Sequence, residues 1–193
     1  MGQGAIFDGV VRNEDAYTNL LRNLMITDRD FGESLLSAFL PGSFHHLAEQ
    51  PFDVHTQVRL LDADIDHGRA DMVVTTGSLL LLVEVKVSAY CQMTVNQELE
   101  SLSDRGYLRY LRNQKSAFKH VSLAFLTPRS WTHAASVRAS LKQHGDWVIP
   151  CFLHWEDICC IAGSARFSLW VREFGKFLQR ELMSISSTEA DRQ

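Results

Sequence analysis

The stretch of sequence that decides the fold is RADMVVTTGSLLLLVEVKV, residues 69–87. A Thr-Gly-Ser turn signal at residues 76–78 separates two runs of aliphatic residues, so the stretch predicts two neighbouring strands. Charged side chains interrupt these apolar runs at Asp71 and again at Glu84 and Lys86. Isolated charges in a core are costly, so these side chains should be paired, bound to metal or placed at an opening.

Asp71 and Glu84 are expected to lie close together on the two strands. Counted from a turn centre at Gly77, Asp71 lies six residues back and Glu84 seven residues forward, which makes them near cross-strand neighbours. Lys86 shares a face with Glu84, because residues two apart in a strand point to the same side. The three side chains therefore form one candidate cluster.

Two interpretations of this cluster remain open. An E-x-K triplet alone is typical of a strand salt bridge, here between Glu84 and Lys86, and Asp71 has Arg69 as a comparable partner. Two adjacent carboxylates, however, repel each other unless a cation joins them. The apolar setting and a further acidic residue upstream, Glu14, favour a hard divalent ion such as Mg²⁺.

Glu14 belongs to a predicted helix that precedes the strands. Asn13 is a suitable N-cap, and Tyr17, Leu21 and Leu24 follow at helical spacing. Glu14 lies one turn before Tyr17 and therefore at the edge of the buried stripe. It is a candidate metal ligand, or a first-turn charge that only stabilises the helix.

The remaining pattern predicts a single α/β domain over residues 1–193, with a mixed central sheet flanked by helices. Its core is expected over 13–160, in the order α-β-β-β-α-β. The other predicted elements are a helix over 31–40, a strand over 54–60, a polar loop over 62–68, a helix over 93–118 with a break near Gly106, strands over 121–126 and 147–153, and a last helix over 164–183 before a polar tail over 184–193.

Length and composition limit the class of protein. The 193 residues are 46% hydrophobic and 22% charged, which excludes a disordered, collagenous or coiled-coil chain. The longest aliphatic run, residues 79–83, is far shorter than the roughly 20 apolar residues of a membrane span. The N-terminus lacks a basic start followed by an apolar stretch, so no signal peptide is indicated. We expect a soluble, cytoplasmic protein with no membrane partner.

Charge is unevenly distributed along the chain, although its formal net value is only −4. Residues 101–145 carry eight basic side chains and one acidic one, whereas residues 1–100 carry six basic and fifteen acidic ones. A basic segment beside an acidic one is typical of a protein that contacts a phosphate backbone and also holds a metal. A solvated basic helix face would give the same pattern.

The run GRADMVV…LLLLVEVKV resembles the active-site signature of the PD-(D/E)xK nuclease superfamily, which has the restriction-endonuclease-like fold. The signature places an Asp on one strand and Glu-x-Lys on the next, which here are Asp71, Glu84 and Lys86. Ala70 stands where the signature usually has a proline. The runs FLTP, residues 125–128, and HWEDI, 154–158, are similar to the defence-type and uncharacterised branch of these nucleases, and the resemblance spans about residues 13–160.

The resemblance implies a catalytic set of Asp71, Glu84, Lys86 and Gln97. Gln97 matches a glutamine that several branches carry on the helix after the E-x-K strand, although a plain surface amide is an equal alternative. The implied ligands of one or two Mg²⁺ or Mn²⁺ ions are Glu14, Asp71, Glu84 and the Val85 carbonyl. The residues expected to contact nucleic acid are Arg69, Arg105, Arg109, Arg112 and Lys119, the last four spaced to line one helix face.

The function that we expect is therefore divalent-metal-dependent hydrolysis of phosphodiester bonds, with DNA as substrate. A homodimer or a partner protein would supply sequence specificity. Two alternatives stay open: a catalytically silent nucleic-acid-binding or scaffold subunit with the same fold, and a nuclease that is active only when assembled with a partner or ligand.

Overall fold

A five-stranded mixed sheet with helices on both faces forms the frame of the protein. The computed structural model describes residue 7 and residues 13–88, 106–143 and 147–190, with side chains as far as residue 181. The strands lie in the order β1-β2-β3-β4-β5, which is also their order along the chain. The predicted mixed α/β architecture is thereby confirmed.

The elements follow the predicted order. The helices are α1 Glu14–Thr27, α2 Arg29–Phe39, a 3-10 helix Gly42–Leu47, α3 Tyr107–Gln114, α4 Ala134–Lys142, α5 Trp155–Ala162 and α6 Leu169–Ala190. The strands are β1 Phe52–Asp62, β2 Ile65–Thr76, β3 Leu79–Val85, β4 His120–Thr127 and β5 Ile149–His154.

The sheet changes direction at β3. Strands β1, β2 and β3 pair antiparallel through hairpins, whereas β3, β4 and β5 pair parallel. Parallel pairing requires a crossover connection, and the chain between β3 and β4 includes α3. β3 therefore lies at the centre of the sheet and is buried along its whole length.

Both faces of β3 are covered, which explains its nearly continuous aliphatic sequence. Leu81 and Val83 belong to the apolar layer on the face of α1, α2, α5 and α6. Leu80 and Leu82 belong to the second layer, on the face of α3 and α4. Because side chains alternate along a strand, Glu84 falls on the second face, where Tyr107 of α3 packs.

Helix α1 is capped at its N-terminus and is joined to β1 by two hydrogen bonds. Its N-cap Asn13 accepts a hydrogen bond from the Ala16 N–H at 2.9 Å, as the sequence predicts. Further along, the Arg22 Nε donates to the Val54 carbonyl of β1 at 3.0 Å, and Thr56 donates to Asn19 at 2.6 Å. The last two contacts attach α1 to β1.

The connection between β1 and β2 differs from the predicted loop over 62–68. β1 continues to Asp62 and β2 begins at Ile65, so the turn is only two residues long. Backbone pairing continues as far as Asp62 and Ile65, and Arg59 and Asp66 form an exposed cross-strand ion pair of 2.7 Å. Polar composition suggested a loop where the side chains in fact pair across an exposed ribbon.

The helices also differ in their bounds. α3 begins directly after Gly106, which has a φ of 99°, and it ends at Gln114 rather than 118; the part of the predicted helix before Gly106 lies outside the described residues. A tight turn, with the Lys115 N–H donating to the Arg112 carbonyl, then leads to β4. α6 begins at Leu169 and continues to Ala190, so helix replaces much of the predicted tail. Among the described residues, no helix has both the length and the apolarity needed to cross a membrane.

Candidate active site

Three charged side chains meet where β3 ends. The β2–β3 register pairs Met72 with Val83, and one step further it sets Asp71 opposite Glu84. Lys86 follows on the same side of β3. The exposed fractions of Asp71, Glu84 and Lys86 are only 8%, 2% and 4%. The structure thus brings together the cluster that the turn count predicts.

Direct contacts link the members of this cluster. The Lys86 Nζ lies 2.6 Å from the Glu84 Oε1, so the Glu84–Lys86 salt bridge considered from the sequence is present. The Asp71 Oδ2 accepts a hydrogen bond from the Val85 N–H at 2.8 Å. Arg69, the alternative partner of Asp71 considered from the sequence, forms an ion pair of 3.6 Å with Asp15 instead.

The backbone around Lys86 is held from two directions. Its N–H donates to the Leu126 carbonyl of β4 at 2.8 Å, and its carbonyl accepts from the Trp155 indole Nε1 at 2.9 Å. Buried backbone groups that are fully paired have little freedom to move. The position from which the Lys86 side chain starts is therefore fixed by β4 and α5.

Tyr107 of α3 completes the cluster. Its hydroxyl oxygen lies 2.5 Å from the Arg69 carbonyl and 2.9 Å from the Glu84 Oε2. A phenol carries a single proton and can donate it to only one acceptor at a time. The hydroxyl therefore donates to the Arg69 carbonyl or to Glu84 at any one time, and donation to Glu84 favours the ionised form of that carboxyl group.

The pKa of Glu84 nevertheless favours the protonated form of this carboxyl group at neutral pH. Burial, followed by the charge of Asp71, raises the pKa of Glu84 to about 8 even though Lys86 acts in the opposite direction. Burial also raises the pKa of Asp71, against the hydrogen bond from Val85 and the charge of Lys86. For Lys86, burial lowers the pKa, but the carboxylates of Glu84, Glu14 and Asp71 outweigh it and the net direction is upward.

Glu14 acts on this cluster from the first turn of α1. Its charge raises the pKa of both Asp71 and Lys86, so it lies near enough to contribute to the potential of the site. With Glu14 included, three carboxyl groups surround one lysine. Burial of negative charge is unfavourable, which is the main reason that the pKa values of Asp71 and Glu84 are raised.

The donor groups of the cluster fit a hard divalent ion. Mg²⁺ and Mn²⁺ prefer carboxylate and carbonyl oxygens, and Asp71 and Glu84 present two carboxyl groups with an excess of negative charge. Within the described residues, however, no group of three or more His, Cys, Asp or Glu side chains stands at metal-binding distance. Asp71 and Glu84 are accordingly the two side chains best placed to bind a metal ion. The expected roles of Glu14 and the Val85 carbonyl as ligands stay predictions.

Gln57 is a residue of this region that the sequence pattern did not single out. Its φ of 57° lies in the left-handed region, which costs a non-glycine residue roughly 1–2 kcal/mol. The β1–β2 register pairs Thr56 with Met72 and Val58 with Ala70, so Gln57 stands opposite Asp71. Both polar atoms of its side-chain amide are buried without a hydrogen-bond partner.

A sequence pattern could not have revealed Gln57, because its strand keeps the expected alternation on either side. A buried amide without a partner costs about 1–3 kcal/mol, and strained backbone conformations cluster at functional sites. Both anomalies occur in one residue directly across from Asp71. Gln57 is therefore a candidate to position a water or a phosphate oxygen at the site.

The residues expected to contact nucleic acid do not form a single stripe. Arg109 and Arg112 lie on α3, and Arg69 lies exposed on β2 near the cluster. Lys119 cannot share their helix face, because α3 ends before it, and it lies next to the first residue of β4. Gln97 and Arg105 lie outside the described residues.

The sequence and the structure were compared with protein-family models, with curated proteins and with solved structures, and none of the three comparisons found a match.

Proposed function

We propose that this protein is a divalent-metal-dependent nuclease with a restriction-endonuclease-like fold, which hydrolyses phosphodiester bonds in DNA. The observation that carries the proposal is the buried cluster of Asp71, Glu84 and Lys86 at the end of the central strand. Its arrangement agrees with the D…E-x-K signature noted in the sequence. The mixed sheet, with three antiparallel strands followed by two parallel ones, agrees with the fold that the signature implies.

The carboxyl pair would hold the metal. Asp71 and Glu84 are the donors, and Glu14 would add negative charge from α1. When bound, a divalent ion lowers the pKa of an attacking water and acts as a Lewis acid toward the phosphoryl group. Ionisation of Glu84 is the step that prepares the site for the cation, because protonated Glu84 is a poor ligand.

Lys86 would stabilise the negative charge that develops on the phosphoryl oxygens. A positive group contributes most to catalysis when it is held in place beforehand in a site that excludes water. Both the backbone contacts of Lys86 and its 4% exposure satisfy this condition. The same lysine keeps part of the carboxylate charge balanced before metal binds.

The substrate would reach the site past exposed basic side chains. Arg69 lies two residues before Asp71 on β2, and Arg112 lies on α3, the helix that supplies Tyr107 to the site. Contacts from such side chains to phosphates hold a strand in register without reading its sequence. DNA is thus bound by its backbone in this proposal, and specificity is left to a partner or a second copy.

One observation favours a second candidate, a nucleic-acid-binding subunit that does not cut. Glu84 already has protein partners on both oxygens, namely Lys86 and Tyr107. A carboxylate that is satisfied within the protein has less to gain from a metal. In this alternative the cluster serves only to hold β2, β3 and α3 together.

A cleavage assay separates the two candidates. Plasmid, linear duplex, single-stranded DNA and RNA are incubated with Mg²⁺, with Mn²⁺ or with EDTA, using wild type, Asp71→Asn and Asp66→Asn. Asp66 lies on the same strand as Asp71, but its partner is the exposed Arg59, so it is the matched control.

The nuclease proposal expects metal-dependent cutting of DNA by wild type and by Asp66→Asn, with at least a hundred-fold loss in Asp71→Asn. Cutting that is equal in all three proteins would indicate a contaminant. Absence of cutting in all three, with each folded, would support the silent subunit.

A further inference from the structure

A second candidate site lies at the opposite end of the sheet. A cavity of about 280 Å³ opens at the start of β4 and β5, between the 3-10 helix and the turn that leads from α3 into β4. Three separate segments of the chain line it, residues 41–44, 115–121 and 147–150.

This cavity is distinct from the candidate active site. The β3–β4 register pairs Leu79 with His120 at the cavity end, and Glu84 with Phe125 at the cluster end. Five residues of strand separate the two pairs, which corresponds to about 16 Å at 3.3 Å per residue. A ligand in the cavity would therefore not occupy the Asp71–Glu84 cluster.

The described walls of the cavity carry the positive charges of two lysines. Lys115, Lys119 and His120 line it, and none of its described lining residues is Asp or Glu. Burial, followed by the positive charges of Lys119 and His46, lowers the pKa of His120. Clustered charge of one sign creates a local potential that attracts ions of the opposite sign. The cavity should therefore attract anions, although the net charge of the chain is negative.

The same cavity also offers aromatic and apolar surface. Phe44 meets the His120 ring edge-on at 5.4 Å between centroids, and the half-buried Trp147 also lines the cavity. The buried Val121 and Val148 are further lining residues. Aromatic faces with a cationic rim suit a ligand that combines a flat ring with a negative group, because the ring stacks while the charge is paired.

We propose that this cavity binds a single nucleotide unit, with the base against Trp147 and the phosphate between Lys115 and Lys119. The volume lies just below the range of about 300–1,000 Å³ of most small-ligand pockets, so one nucleotide fits it better than a larger molecule. The unit is either a free nucleotide or one residue of a bound strand. The inference does not require that the Asp71–Glu84 cluster cuts.

Calorimetric titrations test the site and distinguish the two sources. Wild type is titrated with adenosine 5′-monophosphate, adenosine, inorganic phosphate and a single-stranded DNA 12-mer. The same titrations use a Lys115→Ala/Lys119→Ala double variant and an Asp71→Asn variant. The matched control is Lys142→Ala/Lys176→Ala, which removes two positive charges outside the cavity, and thermal unfolding checks that each variant is folded.

If the ligand is a free nucleotide, we expect the monophosphate to bind at least ten-fold tighter than adenosine or phosphate. Its affinity should then fall at least ten-fold in Lys115→Ala/Lys119→Ala and in no other variant. If the ligand is part of a strand, the affinity for the 12-mer should show this loss instead. The proposal is overturned if neither ligand loses affinity in the double variant, if the charge control loses as much, or if only Asp71→Asn abolishes binding. Trp147→Ala should weaken whichever ligand binds, and Trp147→Phe should retain most of its affinity.

Discussion

The Lys86 ammonium nitrogen and the Glu84 carboxyl group lie 2.6 Å apart, and both side chains are almost fully buried. A buried ion pair contributes little net stability, because the cost of removing two charges from water offsets their attraction. Burial raises the pKa of Asp71 on the adjacent strand, although Lys86 and Glu84 both act to lower it. The proposed function gives these buried charged groups a role in chemistry at the end of β3, and their properties lead to the following predictions.

The raised pKa of Glu84 predicts that the metal-free protein loses stability as pH increases. Its pKa rises from 4.5 to about 8 in the folded state, so between these values the folded protein holds a proton that the unfolded chain has released. The contribution of Glu84 is full below pH 4.5 and is lost as pH rises through about 8, with a slope of up to about 1.4 kcal/mol per pH unit.

Urea unfolding in EDTA at pH 5.5, 6.5 and 7.5 measures this slope. Glu84→Gln cannot ionise, so the unfolding free energy of wild type minus that of the variant should fall steadily toward higher pH. A difference that stays constant across these pH values would contradict the protonation of Glu84.

Metal binding should release a proton. Since a bound cation requires ionised Glu84, Mg²⁺ or Mn²⁺ affinity should increase up to ten-fold per pH unit below about 8 and level off above it. Calorimetry at pH 7 in two buffers of different ionisation enthalpy should show close to one proton released per ion. Zero release with unchanged affinity between pH 6 and 8 would mean that Glu84 does not bind the metal.

Tyr107→Phe should weaken both the fold and the metal site. The substitution removes the hydroxyl that contacts the Arg69 carbonyl and Glu84. Loss of a buried hydrogen-bonding group costs about 1–3 kcal/mol. Because the contact with Tyr107 lowers the pKa of Glu84, its removal should raise that pKa further and reduce Mg²⁺ affinity at pH 7 by three- to ten-fold.

Tyr110→Phe is the matched control for this change, since Tyr110 lies on the same helix and only its hydroxyl is removed. It should leave Mg²⁺ affinity unchanged. Equal losses in the two variants would assign the effect to α3 as a whole rather than to the Tyr107 hydroxyl.

Gln57→Gly should separate stability from activity. Glycine accepts the left-handed backbone without strain and removes the unpaired amide, so the unfolding free energy should rise by about 1 kcal/mol. Cleavage should nevertheless fall by at least ten-fold, because the amide opposite Asp71 is lost. A variant that is less stable but fully active would show that Gln57 serves the fold alone, and Gln57→Asn should keep part of the activity.

The sequence predicted the central part of this structure because local patterns dominate there. The aliphatic run of β3 and the turn before it required two paired strands, and the count from Gly77 set Asp71 beside Glu84. The polar composition around Asp62 predicted a loop, because composition does not reveal the backbone pairing of β1 with β2 or cross-strand contacts such as Arg59 with Asp66.

The rest of the site depends on distant contacts. Tyr107 reaches Glu84 from a helix 23 residues later, and Trp155 holds the Lys86 carbonyl from 69 residues away. The conformation of Gln57 is a backbone property hidden within a regular strand pattern. Lys119 was assigned to the helix because its spacing fits a helical stripe, but the chain turns at Gln114 and separates it from Arg112.

The most direct test of the central claim compares the single-turnover DNA cleavage rates of Lys86→Met and Lys176→Met in Mg²⁺ at pH 8. Each variant removes one Lys–Glu contact of nearly equal length, 2.6 Å in the cluster and 2.7 Å on α6. Lys86→Met should remain folded, since loss of Lys86 raises the pKa of Glu84 further and keeps that carboxyl group neutral. The proposed function predicts at least a hundred-fold slower cleavage by Lys86→Met and a wild-type rate for Lys176→Met. Folded Lys86→Met that cleaves as fast as Lys176→Met would contradict it.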